Sequence, residues 1–417
     1  MSESLLVLVE SNTTGTGRMF CERARGLGLR PIAFVRDPAR YPYLDQDGVD
    51  VRQLDTTDPD ALLRAARQLA GQVLGVTSSS EYFIATASRL AGQLGLPHPD
   101  PMAVTACRNK AEQRALLRHA GLPGPDFELV RSPADAVAAA ERIGWPVVVK
   151  PPTGSGSVGV RLCTDPAQVS AAAAAILAAD LATAGIPEQD SVLVEQYLTG
   201  PEFSVECFDR QVIGCTAKHL GPQPYFVEVG HDFPAPLDEP ATAELAEAAL
   251  AGLAALGLGW GPAHVELRRT PAGPRIVEVN PRLAGGMIPR LVLEATGIDL
   301  IELTVARAAG LPVEIVPSRD RTAAIRFLLA ARSGTLTEVS GLELARRSPA
   351  IVEVRLTAAI GTDLRLQNSF RDRLGYLIST GEDGPAAAHD ATEALAHLRL
   401  RIEPRIGPPV TKGVASQ

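Results

Sequence analysis

Aromatic residues are scarce in this chain: they make up 4% of its 417 residues. Proteins that bind single-stranded nucleic acid use aromatic side chains to stack bases, so this scarcity disfavours that class. Basic residues are not in excess either, since 40 Lys and Arg stand against 48 Asp and Glu and leave a formal net charge of −8. A protein that follows a phosphate backbone usually has the opposite balance. The composition therefore predicts no nucleic-acid partner.

Cysteine pairs and long apolar runs are also missing. The five cysteines are widely scattered, and none forms the Cys-x-x-Cys pair of a zinc or redox motif. No apolar stretch approaches the roughly 20 residues of a membrane-spanning helix. The first residues are acidic, and the apolar run from Leu5 to Val9 is too short for a secretory signal. We therefore expect a cytoplasmic protein with no membrane partner.

The order of predicted strands and helices changes along the chain. At first, short apolar strands such as Leu5–Val9, Pro31–Val35 and Gln72–Val76 alternate with helices, which predicts an α/β domain with a parallel sheet. After the proline-rich segment 96–101, one helix is expected over Ala103–Ala120. The strands that follow come in hairpin-like pairs, which is typical of α+β domains with antiparallel sheets.

These changes predict four units. An N-terminal α/β domain is expected over residues 1–107, and connecting helices with a lid subdomain over residues 108–190. A central domain is expected over residues 191–310, and an α+β subdomain over residues 311–417. Apolar residues make up 46% of the chain, enough for a core in each unit. Alanine-rich helices suggest that the protein forms a homodimer.

A glycine- and serine-rich loop lies between two predicted strands. Residues 154–159 match the Gly-x-Gly-x-x-Gly pattern of dinucleotide-binding proteins, but a strand over Val158–Leu162, not a helix, is expected next. Lys150 precedes the glycines, so the segment is not a Walker loop either. A flap of this kind can close over a triphosphate, with backbone N–H groups and the lysine as donors. An ordinary flexible hairpin fits the segment equally well.

Two strands joined by a Pro/Gly turn carry the acidic residues of a candidate metal site. His264–Arg268 and Arg275–Asn280 alternate polar and apolar residues, as half-buried strands do. In the hairpin they form, Glu266 and Glu278 become cross-strand neighbours, and Asn280 shares the face of Glu278. Two such carboxylates repel unless a cation lies between them, and hard oxygen ligands suit Mg²⁺. The alternative is a solvated hairpin with a charged outer face.

A third polar segment follows the predicted strand Val192–Tyr197. Backbone groups at such a strand end can bind the edge of an adenine, and the carboxylate of Glu202 can accept hydrogen bonds from both ribose hydroxyls. A surface strand with two glutamates is the alternative.

In chain order, these segments resemble the ATP-grasp superfamily of carboxylate–amine ligases. They look most similar to its L-amino acid ligase branch, whose members make dipeptides. The segments that carry the resemblance are Asn109-Lys110 with Arg114, Val147–Lys150 with the flap, Glu195–Leu198 with Glu202–Val205, His264–Glu266, and Glu278–Arg282. The resemblance covers nearly the whole chain. It implies an α/β pre-ATP-grasp domain with a parallel sheet, followed by α+β ATP-grasp domains with antiparallel sheets.

The resemblance also implies a role for each matching residue. It implies ATP binding by Lys110, Lys150, Gly154, Ser155, Gly156, Ser157, Glu195, Gln196, Tyr197, Leu198 and Glu202. It implies Mg²⁺ binding, with Mn²⁺ as a substitute, by Glu266, Glu278 and Asn280. Arg282 and Lys150 would be catalytic, and substrate binding is implied for Glu228, His231, Arg282 and Gly285. For Glu228 and His231 a plain surface loop is the alternative. Another family-like segment, Phe370–Tyr376, is assigned only a packing role.

The implied reaction uses the γ-phosphoryl group of ATP to activate a carboxylate, expected to be that of an amino acid. An amine then attacks the acyl phosphate, which gives an amide, ADP and phosphate. The expected partners are therefore small molecules. Two alternatives stay open: a biotin-carboxylase-like enzyme, and a nucleotide-binding regulatory protein without turnover. The first is disfavoured because Leu283–Gly286 stand where such carboxylases carry a Gln-Val-Glu-His stretch.

Overall fold

The computed structural model describes residues 3–12, 16–178 and 190–404. Its N-terminal part is a parallel sheet between helices, in the order β3-β2-β1-β4. The elements are β1 (Ser4–Val9), α1 (Thr16–Gly26), β2 (Arg30–Val35), α2 (Tyr43–Gln46), β3 (Asp50–Gln53), α3 (Pro59–Arg67), β4 (Gln72–Thr77) and α4 (Ile84–Gln93). Strand β1 is buried on both faces, between two apolar clusters, which is why it is a continuous apolar run. The predicted fold class of this domain is confirmed.

The single helix predicted over Ala103–Ala120 is wrong, because the chain breaks there into α5 (Pro101–Ala106) and α6 (Lys110–His119). The side chain of Asn109 accepts hydrogen bonds from the first backbone N–H groups of α6 and caps it. Asparagine is a favoured N-cap residue because it satisfies donors that have no partner inside the helix. The break places Lys110 in the first turn of α6.

The lid has a four-stranded sheet in the order β5-β8-β6-β7 with two helices packed on it. Its elements are β5 (Phe127–Val130), α7 (Pro133–Ile143), β6 (Val147–Lys150), β7 (Arg161–Cys163), α8 (Pro166–Ala178) and β8 (Val192–Gln196). The strand predicted over Val158–Leu162 is wrong, since β7 begins only at Arg161. Positive φ angles at Ser157 (62°) and Gly159 (72°) keep the preceding residues in a turn, and an extended strand excludes such angles.

The largest sheet has eight antiparallel strands in the order β13-β12-β9-β10-β11-β14-β18-β16. Its strands are β9 (Glu202–Phe208), β10 (Gln211–Leu220), β11 (Glu228–Phe233), β12 (Pro262–Thr270), β13 (Gly273–Asn280), β14 (Thr322–Leu329), β16 (Ile351–Leu356) and β18 (Arg373–Gly381). The helices α9 (Glu239–Ala255), α10 (Ile288–Thr296) and α11 (Leu300–Ala308) lie between these strands in the chain. Because β11 pairs with β14, one sheet continues across residue 310. The four unit boundaries stay predictions.

A smaller antiparallel sheet completes the C-terminal part, in the order β17-β15-β19. The remaining elements are β15 (Gly334–Ser340), α12 (Leu342–Ala345), β17 (Asp363–Leu364), α13 (Gly384–His397) and β19 (Arg399–Glu403). Helix α13 packs on the large sheet through buried alanines. Within the described residues, no helix has both the length and the apolar character needed to cross a membrane.

Four neighbouring strands of the large sheet alternate between an apolar and a polar face. The apolar side chains of β9, β10, β12 and β13 pack against α9 and form a core of Phe203, Val205, Cys207, Cys215, Ala217, Val265, Leu267, Ile276 and Val279. Residues at odd spacing from these point the other way, because side chains alternate along a strand. The second face is therefore polar, and it forms the floor of the site.

Candidate active site

The polar face of the large sheet lies opposite the lid, and a cleft separates the two. The face carries Glu202, Ser204, Glu206, Thr216, Lys218, His264, Glu266, Arg268, Glu278 and Asn280. The cleft encloses about 890 Å³, including its open mouth, which is within the range of small-molecule sites. Lys218 and Glu206 are only 6% and 2% exposed. Because charged side chains are rarely buried without a function or a partner, this face is the candidate active site.

A β-bulge sets the register of the acidic hairpin. Leu267 pairs with Ile276, but the next pair is Glu266 with Glu278, so Val277 is the extra residue. The predicted pairing of Glu266 with Glu278 is thereby confirmed. The carbonyl of Val277 accepts a hydrogen bond from the Arg114 guanidinium. Without the bulge, Glu278 would lie on the apolar face of the sheet.

Lysines neutralise the two opposed carboxylates. Lys110 Nζ lies 3.1 Å from Glu278 Oε1, and Lys218 Nζ lies 3.0 Å from Glu266 Oε1. Lys218 also contacts Glu202 at 3.0 Å and Glu228 at 2.8 Å. Burial acts against its charged form, but these carboxylates raise the pKa of Lys218 well above its usual value. The ammonium group of Lys218 is therefore the common partner of three acidic residues.

A second charged group lies under the lid sheet. Glu195 accepts from Arg114 Nε at 2.9 Å and from Lys150 Nζ at 2.6 Å. All three side chains are buried. Burial lowers the pKa of Lys150. It acts to raise the pKa of Glu195, but Arg114 and Lys150 bring that pKa below its usual value. The Glu195 carboxylate thus fixes Lys150 at the wall of the cleft.

The flap closes over the cleft and is tied to its two walls. The carbonyl of Gly154 accepts from Lys110 Nζ at 2.8 Å. The hydroxyl of Ser157 donates to the carbonyl of Phe226 at 2.7 Å. These contacts hold Gly154 against α6 and Ser157 against the loop between β10 and β11.

The middle of the flap contacts residues from the N-terminal and the C-terminal parts of the chain. Ser155 hydrogen-bonds to Glu81, which follows β4 of the N-terminal domain. The carbonyl of Gly156 accepts from the N–H of Phe370 at 3.2 Å. A Cβ atom at Gly156 would lie 2.2 Å from the Phe370 ring, and φ is +65° there, so this position requires glycine. The family-like segment that begins at Phe370 therefore contacts the flap, beyond the packing role predicted for it.

At the end of β8, Gln196, Tyr197 and Leu198 line the cleft, as Glu202 does. Arg268 connects them: Nη2 lies 3.0 Å from Glu202 Oε2, and Nη1 donates to the carbonyl of Leu198 at 2.9 Å. The guanidinium of Arg268 also lies over the Tyr197 ring at 5.3 Å. Arg268 fixes the strand end against the floor of the cleft.

Behind Glu266 lies a fully buried polar chain. His264 Nε2 is 3.1 Å from Glu266, and His264 Nδ1 is 2.9 Å from Glu206. Burial opposes protonation, but Glu206 and Glu266 together raise the pKa of His264 to about 9. The imidazolium orients the Glu266 carboxylate. Asn280 pairs with His264 across the strands and is 4% exposed.

Arg282 lies just beyond this floor and is held by the N-terminal domain. Its Nε donates to Glu81 Oε2 at 2.7 Å, and its Nη1 donates to the carbonyl of Leu283 at 2.8 Å. Arg108 adds a second cation 3.3 Å from Glu81. Burial acts to raise the pKa of Glu81. The charges of Arg282 and Arg108 outweigh burial and lower this pKa to about 2.

Two of the predicted substrate residues, Glu228 and His231, lie on β11, which forms the side of the cleft that we call the substrate end. Glu228 lines it, with Lys218 at one carboxylate oxygen and Arg373 at the other. His231 is fully buried, and its Nε2 lies 3.6 Å from Glu228. A Cβ atom added at Gly285 would have no neighbouring atom within 4 Å.

The structure therefore brings most of the predicted residues to one cleft. All predicted ATP-binding residues line it, together with Glu228, Glu266 and Glu278. The predicted residues Asn280, Arg282, His231 and Gly285 are not among the residues that line it. The sequence analysis assigned no role to Arg268. This residue lies two positions after Glu266 on the same strand, so the alternation of side chains could have placed it on the polar face. Glu81 and Arg373 gave no comparable signal.

Two known domain families match this chain. The ATP-grasp domain matches residues 143–290, and the L-amino acid ligase C-terminal domain 2 matches residues 326–403. The first match contains the flap and the floor of the cleft. The second contains β18 and most of the C-terminal part.

Individual proteins are also similar. The uncharacterized protein y4rH of Sinorhizobium fredii is 37% identical over 401 residues, 96% of this chain and 83% of that protein. Carnosine synthase 1 of Gallus gallus is 30% identical over 369 residues, 80% of this chain, but this chain spans only 39% of that enzyme's length. The crystal structure of the L-amino acid ligase from Bacillus licheniformis covers 97% of this chain and 100% of its own, with a TM-score of 0.79 at 23% identity. That structural likeness describes the fold.

Proposed function

The chain belongs to the ATP-grasp superfamily and carries an L-amino acid ligase C-terminal domain, and we propose that it joins an amino acid to an amine. In this proposal the γ-phosphoryl group of ATP is transferred to the carboxylate of one substrate, and ADP leaves. The amine nitrogen of the second substrate attacks the acyl carbon, and phosphate leaves as the amide bond forms. The family supports an ADP-forming ligase. Two of the similar proteins are named for carnosine synthesis and L-amino acid ligation.

One observation carries the proposal: a buried sheet face with two opposed carboxylates lies in the same cleft as two lysines and a glycine-rich flap. Phosphoryl transfer depends on positioning and charge neutralisation more than on covalent catalysis. Lys110 and Lys150 supply cations on one wall, and Glu266 with Glu278 supplies the acidic floor. The physical requirements of the reaction are met by groups that otherwise have no reason to be buried together.

The acidic floor suits a divalent cation of the Mg²⁺ type. Glu266, Glu278 and Asn280 offer only hard oxygen ligands, and they lie on one face of two paired strands. In the described part of the chain, no three His, Cys, Asp or Glu side chains form a complete metal site, so phosphate oxygens and water would supply the other ligands. When bound, Mg²⁺ neutralises the phosphate charge and polarises the transferred group, and Mn²⁺ would substitute for it.

The chain's own residues would hold the rest of the nucleotide. Lys110 and Lys150 would bind the phosphates under the flap, and the backbone of residues 196–198 would bind the adenine edge. Because the carboxylate of Glu195 is bonded to Arg114 and Lys150, it would fix Lys150, and the Glu195 backbone would contact the base. The Glu202 carboxylate would accept from the ribose hydroxyls while Arg268 keeps it in place.

The flap would protect the intermediate. An acyl phosphate hydrolyses in water, so the site must close before transfer and reopen for product release. Gly154 to Ser157 are held by four separate contacts in the closed position. Arg282 would stabilise the acyl phosphate through Nη2, because its Nε and Nη1 are already bonded.

The decisive experiment is a screen for ATP-dependent phosphate release across pairs of L-amino acids, with mass spectrometry of the products. A ligase releases ADP and phosphate in equal amounts, and it does so only when an acid and an amine are both present. A biotin-carboxylase-like enzyme would require bicarbonate and biotin instead. Absence of phosphate release with every pair and with bicarbonate plus biotin would contradict the proposal in favour of a nucleotide-binding protein without turnover.

A further inference from the structure

One lysine joins three acidic residues of the cleft. Lys218 Nζ lies 3.0 Å from Glu202 Oε1 and 2.8 Å from Glu228 Oε1. It also lies 3.0 Å from Glu266 Oε1. All four side chains line the cleft. Because an ammonium group has three N–H donors, three carboxylates match its full capacity. Lys218 is therefore held in place by the protein, and no donor remains for a ligand.

The other lysine of the acidic floor is held by fewer groups. Lys110 Nζ has one carboxylate partner among the described residues, Glu278 at 3.1 Å, and it donates to the carbonyl of Gly154 in the flap. Such an ammonium can exchange its carboxylate for a phosphate, which carries charge of the same sign. Lys218 would have to leave three carboxylates at once, and buried charges that lose their partner are costly. Lys218 is thus a fixed cation of the site, whereas Lys110 is an exchangeable one.

The two opposed carboxylates each have one oxygen against a protein cation. Lys218 and His264 both make their closest contacts with Oε1 of Glu266, at 3.0 and 3.1 Å. Lys110 likewise contacts Oε1 of Glu278. The Oε2 atoms are left for a further ligand, and magnesium sites commonly combine one or two carboxylates with phosphate oxygens. A divalent ion held by these atoms would have the Lys218 ammonium as a close neighbour.

We infer that Lys218 is a positioning residue that makes divalent-ion binding at Glu266 and Glu278 depend on the nucleotide. This inference rests on the metal site of the proposed function and not on the identity of the substrates. A fixed ammonium beside the site repels a divalent ion, and the cleft screens this repulsion less than bulk water does. Phosphate oxygens of a bound nucleotide add negative charge and ligands, which offset the repulsion. The ion and the nucleotide would therefore bind as a pair.

Equilibrium dialysis of Mn²⁺, with and without ADP, tests this inference without turnover. We expect the wild-type protein to bind Mn²⁺ roughly 10- to 100-fold more weakly without ADP than with it, a typical coupling between two ligands. Without ADP, Lys218→Met should bind Mn²⁺ roughly 10- to 100-fold more tightly than wild type, because a nearby positive charge is removed. Methionine has nearly the length of lysine, so the volume stays filled. A misfolded variant would bind less Mn²⁺, so the sign of the change separates the two explanations.

Further variants show whether charge and place account for the effect. Lys218→Arg keeps the charge and should bind Mn²⁺ like wild type. Lys218→Gln removes the charge but keeps donors for the carboxylates, which guards against misfolding of the methionine variant. Arg269→Met removes an exposed arginine of β12, the strand that carries Glu266, and it is the matched control with unchanged Mn²⁺ binding. The double variant Lys218→Met with Glu278→Gln should lose the gain.

Three results would overturn the inference. If the folded neutral variants bind Mn²⁺ no more tightly than wild type, Lys218 does not oppose the ion. If wild type binds Mn²⁺ equally well without ADP, binding does not depend on the nucleotide. If the gain survives Glu278→Gln, the ion has replaced the lysine among its three carboxylates. A wild-type protein that binds ADP but no Mn²⁺ with it would instead refute the metal site of the proposed function, and the inference with it.

Discussion

The two ends of the cleft differ in whether their buried charged and polar groups have partners. At the nucleotide end, Lys110, Lys150, Glu195 and Glu278 are all ion-paired within the protein, and Arg114 Nη1 lacks a partner among the described residues. At the substrate end, His231 and Arg373 Nε are buried without partners in the described residues. The charges of the first end are paired without a ligand, whereas polar atoms of the second end are not.

This difference indicates which end of the cleft selects the substrate. A paired end must exchange one partner for another when it binds a nucleotide, so it discriminates little beyond charge and shape. An end with unpaired polar atoms rewards the ligand that supplies the missing hydrogen bonds and rejects one that lacks them. We expect the choice of amino acid to depend on the substrate end.

The largest expected effect concerns the acidic pair at the nucleotide end of the cleft. Glu278→Gln should lower kcat by at least about 10³-fold, since loss of a metal ligand removes several kcal/mol of transition-state stabilisation. Hydroxylamine traps acyl phosphates as hydroxamates, and this variant should form none. Chelation of divalent metal should have the same effect on the wild-type enzyme. Glu338→Gln, on the exposed side of β15, is the control, and wild-type rates in Glu278→Gln would show that the acidic pair is not the metal site.

The next test concerns stability. Glu195→Ala should lower the free energy of unfolding by about 3 to 5 kcal/mol, because Arg114 and Lys150 would be left buried without their carboxylate. Glu128→Ala removes a carboxylate from the exposed pair with Arg142 in the same sheet, and it should cause a much smaller change. Urea unfolding of the two variants measures the contrast. Equal effects would mean that the buried group contributes no more than a surface pair.

The substrate end should make stability depend on pH. Burial lowers the pKa of His231 to about 3, whereas the unfolded chain has a value near 6.5. Between these values only the unfolded chain takes up the proton, so stability falls as the pH drops below about 6.5. The difference between pH 7 and pH 5 should be about 2 kcal/mol for this group.

Urea unfolding at both pH values checks this prediction. His231→Leu should lose this part of the pH dependence, and the exposed His397→Leu should retain it. If the His231 variant keeps the full wild-type dependence, the ring is charged or partnered in the folded protein.

The smallest expected effect concerns the contact between domains at Arg282. Glu81→Gln should lower kcat roughly tenfold, about 1.4 kcal/mol, because Arg282 loses its charged partner, while the KM for ATP should stay unchanged. Steady-state kinetics with Glu22→Gln, on the exposed side of α1, as control measures the effect. A rise in the KM for ATP with an unchanged kcat would assign Glu81 to the flap through Ser155 instead.

Sequence reasoning succeeded where the signal was local. The alternation in the acidic hairpin predicted the pairing of Glu266 with Glu278, and the turn chemistry and apolar runs predicted the parallel and antiparallel sheets. It failed at Asn109, where a cap competes with a continuous helix, and at Gly159, where a positive φ angle delays the start of the strand predicted from Val158. Both errors arose because backbone conformation at a single residue outweighed the average preference of its neighbours.

The sequence by itself determined which residue types line each strand face, the hard-oxygen character of the floor, and the order of the segments that bind ATP in the family. Only the tertiary structure decided which charges meet: Arg282 with Glu81 across 201 residues, and Arg373 with Glu228 across 145. Periodicity is a property of neighbouring residues and can be seen in the chain. The partners of a buried charge depend on how whole sheets pack, and on a single extra residue at Val277 that turns Glu278 toward the cleft.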